Sequence, residues 1–275
     1  DVKSNIQTYT PSKLLNKGQW DIKWFNNLYT QTRSSFSDGK EPRETYFTST
    51  IDVFKGISEN SRFNIGLLLE FRSNVINDRN ALDVFAFDGE HGTARSGFTS
   101  FAPAVKFNPF KAITNFTIQT AFHIPLVSQE TDAGVFLDQK GFIFQNRFFY
   151  DYTFAGDKWQ IFSELNTEYN FGQKSKRDSN FDTIEGSFAN NSLNLTPGVF
   201  LSYFPSQNFT VLILAQHAQR IDLGNDFAQD FTAVGGGAKY QLNRVFNLEA
   251  LYTNFVRGNN TGLGETFNIG LRALF

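Results

Sequence analysis

The sequence predicts an all-β fold: a closed antiparallel β-barrel of twelve strands that spans a membrane. Segments in which apolar and polar residues alternate recur along the whole chain, and turn residues separate them. Charged residues repeatedly fall on one parity of these segments, as a lipid-facing wall requires. The chain holds 33 phenylalanines at a mean hydropathy of −0.32. This combination is unusual for a soluble globule and suits a barrel with an apolar exterior and a wet interior.

The predicted strands follow one another without a linker or a low-complexity segment, so residues 19–275 are expected to form one barrel. An even number of strands is typical of single-chain bacterial barrels and places both termini at one end. The predicted strand bounds are 19–32, 44–56, 61–75, 95–108, 112–125, 141–153, 158–172, 192–204, 208–221, 230–242, 245–257 and 265–275.

Parity predicts which side chains face lipid and which face the interior. In the seventh predicted strand, Trp159 and Ile161 fall on one parity, and Gln160 and Glu164 fall on the other. The third, fifth and eleventh predicted strands alternate in the same way. Because Arg or Lys at the bilayer midplane costs about 2–4 kcal/mol, we assign the polar parity to the interior. The expected lumen-lining residues are Glu70, Arg72, Arg147, Asp151, Glu164, Glu168, Glu249 and Arg272.

The last predicted strand carries the most specific signal. Phe267, Ile269, Leu271, Ala273 and Phe275 share one parity, and the chain stops on Phe275. This ending resembles the C-terminal strand of Gram-negative outer-membrane β-barrels, in which a terminal aromatic residue after alternating apolar residues is the assembly signal. The resemblance implies an integral protein of the bacterial outer membrane that contacts outer-membrane lipid. It also implies that barrel-insertion machinery reads Phe275 during assembly.

The connections between predicted strands alternate in length. The short ones are 56–60, 108–111, 155–157, 205–207 and 242–244, and the long ones lie near 33–43, 76–94, 126–140, 173–191, 222–229 and 258–264. Outer-membrane barrels have short periplasmic turns and longer extracellular loops. Both termini are therefore expected on the periplasmic side.

Residues 1–18 precede the first predicted strand. They are expected to fold into the lumen as a plug or to lie along the periplasmic rim, and a disordered tail is the third alternative. Because methionine and an apolar N-terminal stretch are both absent, we expect a mature form whose signal peptide has been removed. No run of about 18 apolar residues exists, so strands of a closed barrel are the expected way across a membrane.

The sequence offers little for catalysis or metal binding. It has no cysteine and three histidines, none with a second histidine at metal-ligand spacing. The outer-membrane phospholipase A family, a possible relative among such barrels, places a catalytic serine two residues after its histidine. Here that position holds Thr93, Pro125 or Gln219. We therefore expect no enzyme, no metal and no cofactor. A net charge of −2 predicts no nucleic-acid partner.

Register predicts several local contacts. If the sixth and seventh strands pair across a tight turn, Arg147 lies opposite Glu164, and Asp151 lies opposite Gln160. Such pairs are expected to hold a polar wall together rather than to catalyse a reaction. Pro103 and Pro197 fall inside predicted strands, where proline removes a ladder donor, so they are expected at bulges or outside the strands.

The sequence leaves two functions open. One is a narrow channel or transporter for small polar solutes that uses the mixed-charge lumen. The other is a non-conducting subunit of a larger outer-membrane assembly, such as a secretion or barrel-insertion machine, that binds protein partners through its extracellular loops. Phe85, Phe87 and Phe136 are the expected partner contacts, because they lie in apolar stretches of long loops. A lumen closed by Phe149, Phe162 or the N-terminal segment would favour the second function.

Overall fold

The computed structural model describes residues 11–172, 176–177, 183–185, 191–224 and 227–275. Twelve antiparallel strands form one closed barrel in which each strand pairs with its neighbours in sequence. The strands are β1 (Trp20–Gln31), β2 (Glu44–Gly56), β3 (Phe63–Val75), β4 (Ala94–Phe107), β5 (Phe116–Pro125), β6 (Ile143–Thr153), β7 (Trp159–Asn170), β8 (Ser192–Tyr203), β9 (Phe209–Asp222), β10 (Gln229–Gln241), β11 (Phe246–Asn259) and β12 (Glu265–Leu274). The predicted fold class and strand number are confirmed.

The barrel closes where the first strand meets the last. Strand β1 pairs with β12 in a register that places Trp24 beside Leu271. Beyond the ladder, the Trp20 N–H donates to the Phe275 carbonyl over 2.6 Å, and the Phe275 N–H donates to the Trp20 carbonyl over 3.0 Å. The terminal residue thus completes the seam. Closure leaves no unpaired strand edge, which a membrane-spanning sheet requires.

Burial along the strands is the inverse of that in a soluble protein. In β3, Ile65 and Leu67 are 44% and 49% exposed on the outer face, whereas Asn64 on the inner face is 1% exposed. Trp20, Trp24 and Trp159 are exposed on the outer face near strand ends or along the wall. An outer wall of this kind suits a lipid solvent. Among the described residues, no helix is long and apolar enough to cross a bilayer.

Pro103 and Pro197 lie inside strands at positions where the register does not shift, so the expectation of bulges or misplaced boundaries at these two prolines is wrong. Pro103 pairs with Leu67 of β3, and the β4–β5 ladder is interrupted at its other side between Phe101 and Ala104. Pro197 likewise pairs with Leu165 of β7, and its other side faces a gap in the β8–β9 ladder. Register is unchanged across each gap. The missing N–H therefore removes ladder bonds locally without shifting the strands.

Connections at the two ends of the barrel differ in length. We call the end that carries both termini the turn end and the opposite end the loop end. Connections 57–62, 108–115, 154–158, 204–208 and 242–245 lie at the turn end, and the longer ones 32–43, 76–93, 126–142 and 171–191 lie at the loop end. At the loop end, however, 223–228 and 260–264 are as short as the turns. The expected alternation therefore fails there, because β9 and β11 extend further than predicted.

Candidate functional site in the barrel interior

The main feature of the interior is a cavity with a volume of about 820 Å³, which we call the chamber. It runs along the barrel from Pro11 and Asp21 at the turn end to Tyr29 and Phe255 near the loop end. Its volume is in the range of small-molecule sites in proteins.

Residues 11–18 occupy the interior at the turn end. Leu15 is buried against Phe54 and Leu68, and its N–H donates to Asn64 Oδ1 over 3.3 Å. Ser12 is also buried, and its hydroxyl donates to Asp151. We call residues 11–18 the N-terminal plug. Residues 1–10 of the predicted N-terminal segment lie outside the described residues.

Most of the predicted lumen-lining charges lie in the interior as ion pairs. Arg147 Nη2 is 2.7 Å from Glu164 Oε1, although the register places Asn166 opposite Arg147. The Arg147–Glu164 pair is therefore diagonal, and the direct pairing expected from the sequence is off by two residues. The other paired side chains are Arg272 with Asp21 at 2.6 Å, Lys239 with Glu249 at 2.5 Å, and Arg72 with Glu70 at 2.7 Å.

The remaining two predicted residues lie at opposite ends of the interior. Asp151 is buried beside the N-terminal plug, 3.5 Å from Lys13 Nζ, and accepts a bond of 3.4 Å from Gln160 Nε2. In register, Asp151 faces Phe162 rather than the expected Gln160. Glu168 accepts bonds of 2.9 Å from the side-chain amides of Gln145 and Asn166. It lines a second cavity of about 200 Å³ near the loop end, together with Glu70 and Arg72.

The connection 126–142 folds into the loop end of the barrel. Two short strands, Thr131–Asp132 and Val135–Phe136, form a hairpin whose Val135 is buried. Asn74 Nδ2 of β3 donates to the Phe136 carbonyl over 2.7 Å, and Asp138 Oδ1 lies 3.1 Å from Arg72 Nη1. Phe136 thus lines the second cavity. We call residues 126–142 the inserted loop, because it narrows the barrel at this end.

The inserted loop carries a titratable group in an unfavourable position. Burial raises the pKa of the Asp138 carboxyl to about 6, and the neighbouring Glu70 adds to this rise while Arg72 opposes it. Release of the loop would lower the pKa of Asp138 toward the ordinary aspartate value of about 4. The docked loop therefore holds its proton more tightly than the released loop. Docking is most stable below about pH 4 and weakens as pH rises through the window between about 4 and 6.

We expect the conductance of the protein in planar bilayers to rise between about pH 4 and pH 6 as the inserted loop loosens. Asp138→Asn, which cannot ionise, should remove most of this rise. His123 lines the same cavity, so His123→Gln is the matched control and should keep the rise. A rise that survives in Asp138→Asn and disappears in His123→Gln would assign the effect to the histidine.

The chamber has an apolar wall as well as a charged one. Phe149 and Phe162 stack with ring centroids 5.9 Å apart, and Phe200 follows at 5.5 Å from Phe162. Leu212 and Leu214 of β9 continue this wall and are buried. The sequence predicted that Phe149 and Phe162 could close the lumen, but parity did not show that they form one continuous apolar strip with Phe200.

Sequence reasoning missed several charged residues of the chamber. Lys106 is one of them. The sequence did contain a signal for its inward position, because Lys106 has the same parity on β4 as the small residues Ala102 and Ala104. The described basic side chains of the chamber outnumber the acidic ones. The basic residues are Lys23, Arg72, Lys106, Arg147, Lys239 and Arg272, and the acidic residues are Asp21, Asp52, Glu164 and Glu249.

The connection 76–93 folds over the outer wall at the loop end. Its 3₁₀-helix, Ala81–Phe85, begins after the capping residue Asn80 and buries Val84 against Phe47 and Val75. The Phe85 ring packs edge-on against Phe47 at 4.9 Å, and the Phe87 ring packs against Phe71 at 5.5 Å. Both loop rings remain about half exposed. Their place beside the lipid-facing wall suits a headgroup region as well as a protein partner.

An arginine organises the same connection. Arg79 lies 2.6 Å from Asp88 and 3.1 Å from Glu90, and 3.3 Å from Asp83 within the 3₁₀-helix. The hydrogen bonds from Arg79 hold the pKa of the Asp88 carboxyl below its usual value. These pairs are solvent-exposed, so they order the loop more than they stabilise the barrel.

Solved structures of the same architecture are outer-membrane barrels. An outer-membrane channel from Pseudomonas putida F1 matches with a TM-score of 0.69 and 12% identity, over 96% of this chain and 98% of that chain. The β domain of the Bordetella autotransporter BrkA matches with a TM-score of 0.58 and 12% identity, over 94% of this chain and 100% of that chain. The translocator domain of the autotransporter NalP from Neisseria meningitidis matches with a TM-score of 0.51 and 12% identity, over 95% of this chain and 90% of that chain.

These likenesses show that the chain has the fold of the outer-membrane β-barrel class, as the sequence predicted. At such low identity they show the fold alone, and a channel and two autotransporter domains share it. Comparison with family models and with curated proteins gives no match.

Proposed function

We propose that the chain is an integral protein of the bacterial outer membrane and acts as a narrow channel or transporter for small solutes. The observation that carries this proposal is the chamber, which extends along the barrel from the level of Asp21 to the level of Phe255. A barrel that served only as a scaffold would gain more stability from filling this volume with side chains than from keeping a cavity.

Two internal segments make the proposed pathway narrow. The N-terminal plug occupies the turn end, and the inserted loop occupies the loop end. The plug is held by the packing of one apolar side chain, Leu15, and by a few hydrogen bonds. The inserted loop is held by buried Val135, a few hydrogen bonds and the ion pair between Asp138 and Arg72. Segments held in this way open at low cost, as gating elements must. The P. putida protein, an outer-membrane channel, shares the fold, which is consistent with a transport role.

Conductance tests this proposal. The purified protein in planar bilayers is expected to show small, fluctuating single-channel currents. In Arg72→Gln with Arg147→Gln, the partner carboxylates Glu70 and Glu164 lose their cations. Because wall charges set the local counter-ion population, the double variant should shift selectivity toward cations. Lys17→Gln, at an exposed pair with Glu59 outside the chamber, is the control and should leave selectivity unchanged.

The alternative function predicts a different result. A non-conducting subunit would pass no current in the wild type or in the variant with residues 1–18 removed. It would also hold a co-purifying protein that Phe85→Asp with Phe87→Asp releases, because these changes place charge in an apolar contact. Both observations together would overturn the transport proposal.

We propose further that Phe275 is the assembly signal. Its side chain is exposed on the outer face, and its backbone closes the seam with Trp20. Phe275→Ser keeps both backbone bonds, so a seam-closing role alone predicts normal folding. A signal read from the side chain predicts several-fold less heat-modifiable barrel in the outer membrane. Equal amounts of folded Phe275→Ser and wild type in cells would contradict the signal role.

A further inference from the structure

Lys106 is a buried cation of the chamber to which the described structure assigns no ion-pair partner. It lies on β4 near the turn end and is 5% exposed, yet it lines the chamber. In the same chamber, Arg147, Lys239 and Arg272 each have a carboxylate within 2.7 Å. Lys23 also lacks an ion-pair partner among the described residues, but it is less buried than Lys106. Within residues 11–172, 176–177, 183–185, 191–224 and 227–275, no carboxylate lies within ion-pair distance of Lys106 Nζ. Burial of a lone ammonium is costly unless something pairs with it.

The surroundings of Lys106 are aromatic. Its Nζ lies 5.3 Å from the centroid of the Phe149 ring and 5.9 Å from that of Phe54. Ring faces attract a cation, but this attraction is worth less than an ion pair. The ammonium therefore keeps the capacity to bind an anion that enters the chamber. Asp21 is the carboxylate whose charge acts on Lys106, and it is already held by two bonds from Arg272.

An apolar strip begins at the same place. Phe149, which contacts Lys106, stacks on Phe162, and Phe162 contacts Phe200. Leu212 and Leu214 extend the strip on β9. A cation at one end of an apolar strip is complementary to a molecule that has one anionic group and an apolar body.

We propose that the chamber binds small organic monoanions of this kind, chiefly aryl-alkyl carboxylates. The carboxylate would pair with Lys106 Nζ, and the aromatic or aliphatic body would lie along Phe162, Phe200 and Leu212. This inference rests on the proposed transport function and names the class of its substrate. The excess of basic over acidic side chains in the chamber also favours a negatively charged ligand.

Equilibrium dialysis of the full-length protein in lipid nanodiscs tests the site without requiring conduction. The probes are 3-phenylpropionate, its neutral amide 3-phenylpropanamide, and acetate, with empty nanodiscs to subtract partitioning into lipid. We expect 3-phenylpropionate to bind about tenfold more tightly than either other probe, because only it uses both the cation and the apolar strip. Equal binding of the amide would overturn the proposal, since the ammonium would then contribute nothing.

Variants assign the binding to Lys106. Lys106→Gln should weaken 3-phenylpropionate binding about tenfold, and Lys106→Arg should restore most of it. Lys17→Gln is the control, because it neutralises an exposed lysine outside the chamber, and it should change binding little. Undiminished binding in Lys106→Gln would overturn the assignment. Heat-modifiable migration confirms folding of each variant, and if Lys106→Gln does not fold, the three-probe comparison on the wild type still decides the proposal.

Conductance separates this inference from the proposed function. If the wild type conducts but 3-phenylpropionate does not bind, the anion site is refuted and the channel stands. If 3-phenylpropionate binds through Lys106 but neither the wild type nor the plug-deleted protein conducts, the transport proposal fails and the anion site stands.

Discussion

Removal of residues 1–18 is expected to raise the single-channel conductance several-fold. The N-terminal plug fills the turn end of the interior, where Leu15 is buried beside Phe54, and Ser12 contacts Asp151. Its deletion should open the chamber at the turn end while leaving the strand ladder, which begins at Trp20, intact. Single-channel recordings of the deleted and full-length proteins in the same salt measure the effect.

A point substitution checks that displacement of the plug, rather than loss of chain, causes the change. Leu15→Asp places a charge in an apolar contact and should release the plug, so it should reproduce much of the conductance rise. Lys17→Ala, at an exposed position of the same segment, should not. Identical currents in the deleted and full-length proteins would show that residues 11–18 do not limit the pathway.

Replacement of Arg272 by Met is expected to lower the free energy of unfolding by about 3 kcal/mol, the scale for a buried charge that loses its partner. Arg272 on β12 donates two bonds, of 2.7 and 2.6 Å, to Asp21 on β1, across the seam that closes the barrel. Without the guanidinium, Asp21 keeps a buried charge at this seam. Urea unfolding of the protein refolded into lipid vesicles measures the loss.

The partner variant distinguishes a lost ion pair from lost packing. Asp21→Asn in the Arg272→Met background should recover part of the stability, because it removes the stranded carboxylate. Arg257→Met is the matched control: Arg257 pairs with Asp230 at 2.7 Å, but its side chain is 62% exposed, against 11% for Arg272. It should cost less than about 1 kcal/mol. Equal losses in Arg272→Met and Arg257→Met would show that the seam pair has no special role.

The sequence by itself determined the barrel. Alternation has a period of two in every strand of a sheet, and the lipid excludes charge from one face, so parity alone separated outward Ile65 from inward Asn64. The same rule predicted that Arg72, Arg147 and Glu164 face the interior, and it did not require the strand pairing to be known. Strand number and fold class followed, because each strand carries this information locally.

Only the tertiary structure decided how the interior is filled. Arg147 pairs diagonally with Glu164, because the turn between β6 and β7 shifts the register by two residues from the expected one. The inserted loop and the N-terminal plug enter the barrel, whereas the connection 76–93 folds outside it. These segments lack a repeating pattern, and their positions depend on contacts between residues far apart in sequence. Alternation reports which wall a residue faces, but long-range packing determines what that wall encloses.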